Sequence, residues 1–462
     1  MAKPECQGCR ELQGRVAALE ALVRELQAQL GINATNSSLP PSANPPDAPK
    51  PVVKKPTGRQ PGGQPGHPAH ECQRLPPNQV KEVIHLVPKV CAGCQAKLPA
   101  QPATDAPEPL WHQVAELPPQ VVEVTEYQAH ARTCQECGLV NWAKIPDGQR
   151  ARRYGPRLTA LVAYLSGSPH VSKRGIEEII ETVLGLPISL GTVAKLEQEM
   201  SAALAPAHAA AQQAVQDAAV KHVDETGWKK AGARCWLWAA ATTSVACFVI
   251  HPSRGAAGLA ALLGDQIKGI VCSDRWSVYA RLGTRQRQVC WAHLKRDFQK
   301  LVDRGGAAKE PGELGLAIVG LVFYLWHTFR GGGLTRRQLR QEIAPWRAAL
   351  HDQLRAGCAC TDGRAAAFCE NLLAVEPALW TFVDKAGVEP TNNPVERALR
   401  SGVLWRKNAF GCHSDAGCRF VERILTVVQT LRLQKRPVLE FLHQAVSAYR
   451  HGKSTPSLLG CG

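Results

Sequence analysis

Two aspartates and a glutamate have the residue types and settings for phosphate chemistry. Asp224 falls in Lys221-His-Val-Asp-Glu-Thr-Gly-Trp228, at the exit of one strand-like stretch, and Asp274 ends another, Gly269-Ile-Val-Cys-Ser-Asp274. Hard carboxylate oxygens on rigid neighbouring strands suit Mg²⁺ or Mn²⁺, with waters and a substrate phosphate completing the octahedron. Two such ions about 4 Å apart can serve the attacking and the leaving oxygen of an in-line phosphoryl displacement. A strand-end aspartate is also an ordinary turn former, so the pair carries the reading, not either residue alone. The third ligand should come from a later helix, in Asn392-Asn-Pro-Val-Glu-Arg397. Asn393 reads there as the N-cap, Pro394 as the first helical residue and Glu396 as the third residue after the cap. That is equally the pattern of a capping box, and the pattern alone leaves both readings open. Glu389 and Glu422 compete for the third place, and Glu225 competes with Asp224.

A second chemistry lies upstream. Cys91-Ala-Gly-Cys94 and Cys134-Gln-Glu-Cys137 each follow a β-rich stretch, Val83–Leu86 and Val121–Tyr127. Four thiolates in two knuckles make a closed tetrahedral site for structural zinc. The loop between them is longer than the roughly 15–20 residues of an ordinary ribbon. Cys6 and Cys9 form a lone CxxC, and Cys72 lies in what reads as linker.

The elements that must position these groups change texture along the chain. Leu12, Val16, Leu19, Val23, Leu26 and Leu30 form a short a/d seam, either a dimerising coiled coil or one amphipathic helix. This element takes residues 1–32, a Pro/Gly-rich basic linker 33–79, and the zinc-binding module 80–150. Residues 151–218 read as a helical domain; its break at Gly185-Leu186-Pro187 has the proportions of a helix-turn-helix or of any packed helix pair. From 219 to 304, strands at Val220–Asp224, Cys235–Thr242 and Val245–His251 precede a helix at Ala256–Leu263 and strands at Ile267–Ser273 and Gln288–Cys290. A helix over Ala292–Asp303 follows, then an α-helical insertion (305–388), helices (389–450) and a tail (451–462).

The chain has 462 residues, 45% of them hydrophobic, with 55 Lys+Arg against 39 Asp+Glu, a net charge of +16. It can bury real cores and is not a disordered protein. The basic surplus points to a polyanionic partner, with solubility charge as the alternative. The opening Met1-Ala-Lys-Pro4 is no signal peptide, and no window reads as the roughly 18 apolar residues of a membrane span. A cytoplasmic protein is the expectation, with its 17 cysteines serving as metal ligands before disulfides.

Asp224-Glu-Thr, Ser273-Asp-Arg-Trp-Ser-Val-Tyr279, Cys290-Trp-Ala-His-Leu-Lys-Arg-Asp-Phe298 and Thr391-Asn-Asn-Pro-Val-Glu-Arg397 occur in order, after Asn36-Ser-Ser and Gly62-Gly-Gln-Pro-Gly-His67. Together they resemble the DDE transposases of the bacterial insertion-sequence-sixty-six family over nearly the whole chain. The resemblance implies an α/β catalytic core with a ribonuclease-H-like mixed sheet, interrupted by the helical insertion. It places the catalytic carboxylates at Asp224, Asp274 and Glu396, with catalytic Mg²⁺ or Mn²⁺ and structural zinc. His293 and Arg397 are implied near the site, and Cys290 reads as packing. Lys295, Arg296, Arg400, Arg406 and Lys407 suit contacts to DNA backbone. The implied partners are double-stranded DNA, further copies of the chain and small accessory proteins of the same element, with no membrane. A decayed, zinc-dependent DNA-binding protein and a nuclease without joining activity are the alternatives.

Overall fold

A computed structural model of the chain describes residues 74–99, 112–115, 122–146 and 153–460. The expected coiled-coil seam, most of the linker, Cys6, Cys9 and Cys72 lie outside the described residues. The chain divides into a small unit, Lys50–Thr125, and a large one that holds Glu126–Gly462.

In the small unit the first cysteine knuckle is a tight turn. Cys91 N–H donates to Ala96 O, and Gln95 N–H donates back to Cys91 O. Val90 bridges Lys97 across it, and the expected β-stretch at Val83–Leu86 forms no strand. The second knuckle, in the large unit, repeats this turn: Cys134 N–H bonds Leu139 O, and Gly138 N–H bonds Cys134 O. It joins the strands of a small hairpin, β1 (Ala131–Thr133) and β2 (Val140–Trp142). Sheet therefore follows the second knuckle as well as preceding it, and the described part of 121–127 is not strand. The fourth residue after each leading cysteine needs a left-handed backbone, φ 70° at Gly138 and φ 61° at Gln95. Only the second knuckle spends a glycine on it.

Helices α1 (Pro156–Gly167), α2 (Lys173–Leu184), α3 (Leu190–Ala203) and α4 (Ala205–Asp217) come next. Gly185 ends α2 in the left-handed conformation and Ser189 caps α3 through its side chain, a helix–turn–helix as the punctuation predicts. Val162, Ile176, Ile180, Ile188, Val193 and Leu196 form a core of their own between these helices.

The central sheet has the order β5-β4-β3-β6-β7, from β3 (Val220–Lys230), β4 (Ala233–Ala241), β5 (Ala246–His251), β6 (Ile270–Ser273) and β7 (Arg287–Val289). β3, β4 and β5 are antiparallel, and β6 lies parallel to β3 with β7 parallel beyond it. The helix α5 (Ala256–Leu263) makes the crossover. This is the expected topology, a mixed α/β arrangement compatible with a ribonuclease-H-like core. The largest boundary difference is at β3, which runs past Asp224 to Lys230, because the Glu225–Lys230 segment pairs throughout with Ala233–Trp238 of β4. Asp224 is therefore in mid-strand, not at a strand exit.

Helix α6 (Trp291–Arg304) leaves β7, and α7 (Lys309–Arg330), α8 (Arg336–Gly357), α9 (Gly363–Leu373) and the short α10 (Thr381–Asp384) form the insertion. Their apolar faces share a core with Cys272 and Val289 of the sheet and Trp291 of α6. The Gly306–Arg330 helix is long and apolar enough to cross a membrane by length and composition, although no such stretch was expected from sequence. Its buried residues, among them Ile318, Val322 and Trp326, enter that insertion core instead. Trp380 is buried there as well, its ring 4.9 Å from that of Trp291, with Trp346 packed at the edge.

The chain closes with α11 (Asn393–Ala409), α12 (Asp415–Leu433) and α13 (Val438–Arg450). Side chains of α11 and α12 share the main core with β3, β4 and β5. At Gly167 of α1 an added Cβ would collide with Ile424 of α12, so glycine is what lets those two helices pack.

Candidate functional site

Three chain segments carry the expected carboxylates. Asp224 is fixed by its antiparallel pairing with Ala239 on β4, and its Oδ1 accepts the Glu225 amide at 2.9 Å. Asp274 follows the last residue of β6, and its Oδ1 accepts the Trp276 amide at 2.9 Å, which turns the chain away from the sheet. Glu396 stands in the first turn of α11. Burial, then the charges of Glu225, Asp274 and Glu396, raise the Asp224 carboxyl well above the usual range. Like charges disfavour one another's ionisation, and Asp274 and Glu396 are among the acids whose charge bears on Asp224.

The capping-box reading of Glu396 does not hold. The helix begins one residue earlier than expected, with Asn392 as N-cap and no side-chain cap bond. Asn392 is spent elsewhere: its Nδ2 donates to Val223 O at 2.8 Å, its Oδ1 lies 3.3 Å from His222 Nδ1, and its amide meets Cys290 Sγ at 3.2 Å. It ties the start of α11 to β3 and to the start of α6. Glu396 is left free of capping, and its buried Oε1 has no hydrogen-bond partner.

The rival carboxylates are engaged. Glu225 is buried, with Oε1 accepting from Arg254 Nε and Oε2 from the Tyr279 hydroxyl, both at 2.9 Å. Its charge still bears on Asp224, and that of Asp274 bears on it. Glu389 pairs with Arg330 at 2.8 Å. Glu422 accepts the Ile250 amide on β5 at 2.6 Å.

His293, one turn into α6, has Nδ1 3.5 Å from Glu396 Oε1. Burial, then Arg296, lowers its pKa against the opposing pull of Glu396 and Asp274, so the ring is neutral at neutral pH. Cys290 Sγ, His293 and Glu396 present ligand atoms all within 4.8 Å of one another. Arg397, Arg400 and Lys407 on α11 and Lys295 on α6 are exposed. Arg406 is not available in the same way, since it donates to Gly227 O at 2.5 Å and Thr226 Oγ1 at 3.2 Å.

Sequence reasoning missed Asn392 and Arg287. Arg287 is buried in β7 and reaches the Asp274 carbonyl at 3.3 Å. The doubled Asn before Pro394 was a usable signal for the first; a lone arginine in a strand offers none for the second.

In each cysteine knuckle, backbone amides lower the leading thiol: those of Cys94 and Gly93 for Cys91, those of Cys137 and Glu136 for Cys134. A thiol so placed ionises and ligates more readily.

A mixed α/β domain with acidic side chains converging beside its central strand is the class of protein that fold and site define. More specifically, the chain belongs to the transposase IS66 family, whose sequence profile matches residues 152–419. A family of unknown function matches residues 3–73. The chain is also similar to an uncharacterized protein, y4qI, of Sinorhizobium fredii (strain NBRC 101917 / NGR234), 27% identical over 242 residues. That match covers 47% of this chain and 44% of the relative, so the chain spans less than half the length of the protein it matches.

Proposed function

We propose that this protein is a DNA transposase whose Asp224, Asp274 and Glu396 carboxylates hold magnesium or manganese, and that it cuts transposon ends and joins the freed 3′-hydroxyl to target DNA. The observation that carries the reading is a set of three acidic side chains from separate segments, one raised in pKa by burial and by the charges of Glu225, Asp274 and Glu396, one with a buried oxygen lacking a hydrogen-bond partner. Such a set is unfavourable by itself and becomes favourable around a hard divalent cation, so the donors fit the ion. When bound, the cation supplies Lewis-acid polarisation of the scissile phosphate.

The protein's own groups do the rest. Strand pairing holds Asp224 rigid, and Asn392 holds the start of α11, and with it Glu396, against β3. Arg397, Arg400, Lys295 and Lys407 contact phosphates and set the register of the duplex. No side chain acts as a nucleophile, so no covalent protein–DNA link forms. Cys91, Cys94, Cys134 and Cys137 are read as structural zinc ligands from their spacing and the turn each pair makes. Two or more copies of the chain pair the transposon ends, with accessory proteins of the same element as further partners.

The test is transposition in cells of DNA bounded by the gene's own flanking sequences, comparing wild type with Glu396→Gln. The glutamine keeps the size of the side chain and removes its charge. Loss of several kcal/mol of transition-state stabilisation is a rate loss of about 10³-fold or more. Equal transposition by a variant present at wild-type levels removes Glu396 from the site.

A further inference from the structure

We infer that Cys290, His293 and Glu396 form a second metal site, distinct in ligand chemistry from the carboxylate set, that takes a borderline transition ion of the zinc or cobalt class. The three ligand atoms, one sulfur, one nitrogen and one oxygen, lie within 4.8 Å of one another. Tetrahedral coordination with bonds of about 2.0–2.3 Å puts donors roughly 3.3–3.8 Å apart, so small side-chain rotations close the site. Two of the three donors are otherwise unexplained: His293 Nδ1 and Glu396 Oε1 are buried without hydrogen-bond partners, facing each other at 3.5 Å. A buried unpartnered polar atom costs about 1–3 kcal/mol, and an ion between them would satisfy both.

The backbone presets the geometry. Cys290 is the N-cap of α6 and His293 stands in its first turn, which puts both on the same end of one helix, while Asn392 holds the start of α11 against Cys290. Sulfur and imidazole select zinc or cobalt over magnesium, which favours oxygen alone. Binding forms the metal–sulfur bond with release of the thiol proton to solvent. Three protein donors leave a fourth position, on the side where Glu396 is 35% exposed, for water or a ligand. Glu396 is shared with the carboxylate set, so the two sites compete for it; that consequence alone rests on the catalytic reading above.

The experiment adds Co²⁺ to the full-length protein carrying zinc only in its cysteine module, at one ion per chain, and reads its absorption. The expected result is a sulfur-to-cobalt charge-transfer band and tetrahedral d–d bands saturating at about one ion per chain. Cys290→Ser removes the charge-transfer band, His293→Gln weakens binding roughly 10–100-fold or more, and Asp224→Asn keeps both features. No band in the wild type, a band unchanged in Cys290→Ser, or one abolished by Asp224→Asn overturns the proposal. Because the readout is spectroscopic, the site can fail while the transposase reading stands, and the reverse.

Discussion

Two regions of the large unit bury acidic and polar side chains beside the same sheet, with opposite outcomes. On α12, Glu422, Thr426 and Thr430 recur every fourth residue and so share one helical face. They accept, in turn, the amides of Ile250, Phe248 and Ala246 on β5, at 2.6, 3.0 and 3.0 Å. β5 is an edge strand, and a helix that satisfies its outward amides prevents further strand pairing. At the start of α11, by contrast, the charge of Glu396 bears on Asp224, and its buried Oε1 has no hydrogen-bond partner. Backbone hydrogen bonds account for Glu422 Oε1, Thr426 and Thr430 in the first region, and none accounts for Glu396 Oε1 in the second. The lesson is that a buried carboxylate becomes informative when its partners are missing: Glu422 is bonded to the β5 backbone, while the buried Oε1 of Glu396 has no hydrogen-bond partner.

The largest predicted effect sharpens that contrast at Asp224. Asp224→Asn should reduce DNA cleavage and joining by about 10³-fold, the consequence of losing several kcal/mol at the transition state. The same substitution should stabilise the metal-free protein at neutral pH. Burial and like charge raise the folded pKa of this acid above its ordinary value of 3.8. The wild type therefore loses stability as pH rises from that value through the raised one, and the asparagine does not. Saturating Mg²⁺, at about 100 times its dissociation constant, should stabilise the wild type by roughly 2.7 kcal/mol and leave Asp224→Asn unmoved. Urea titrations with and without Mg²⁺ read both; a variant that loses activity and stability together would mean that Asp224 is merely structural.

The α12 seam should behave in reverse. Thr426→Val keeps the shape but strips the hydroxyl that accepts the Phe248 amide, and a buried donor left alone costs about 1–3 kcal/mol. Denaturant unfolding should show that loss, with cleavage by the folded fraction unchanged. A drop in activity per folded molecule would erase the distinction between the two regions.

How much of this was legible beforehand follows the same division. Strand order and the α5 crossover were readable because apolar runs between turn residues mark buried strands, and Ala256–Leu263 matches its expected bounds. The placement of Asp224 on β3 and of Asp274 just past the adjacent β6 was readable once neighbouring strands were inferred. The state of Glu396 was not: Asn393, Pro394 and Glu396 follow the rule for a capping box, and only the three-dimensional demands of Val223, His222 and Cys290 on Asn392 shift the helix start by one residue. The seam on α12 was equally hidden, because a Glu-x₃-Thr-x₃-Thr spacing says that three polar residues share a face and nothing about what that face meets. Local pattern fixes periodicity; partners from more than a hundred residues away decide what a polar side chain is for.

The last prediction bears on Glu422, the one acid of the seam, and tests whether its partner fully compensates its burial. Burial pushes its pKa from 4.5 up to about 7, against the lowering by the Ile250 amide and by Arg423 and Arg419. A folded pKa above the unfolded one means that ionisation costs stability. The cost grows as pH rises from about 4.5 to about 7 and stays constant above that. Glu422→Gln keeps an acceptor for the Ile250 amide without the charge, so the variant should match the wild type near pH 4 and exceed it in stability above pH 7. Thermal melts across that range read the difference directly, and cleavage activity should not change at any pH at which both are folded. Were the glutamine instead less stable at pH 8, the charge itself would be holding β5 to α12, and the seam would be an electrostatic clamp of the kind the carboxylate cluster lacks.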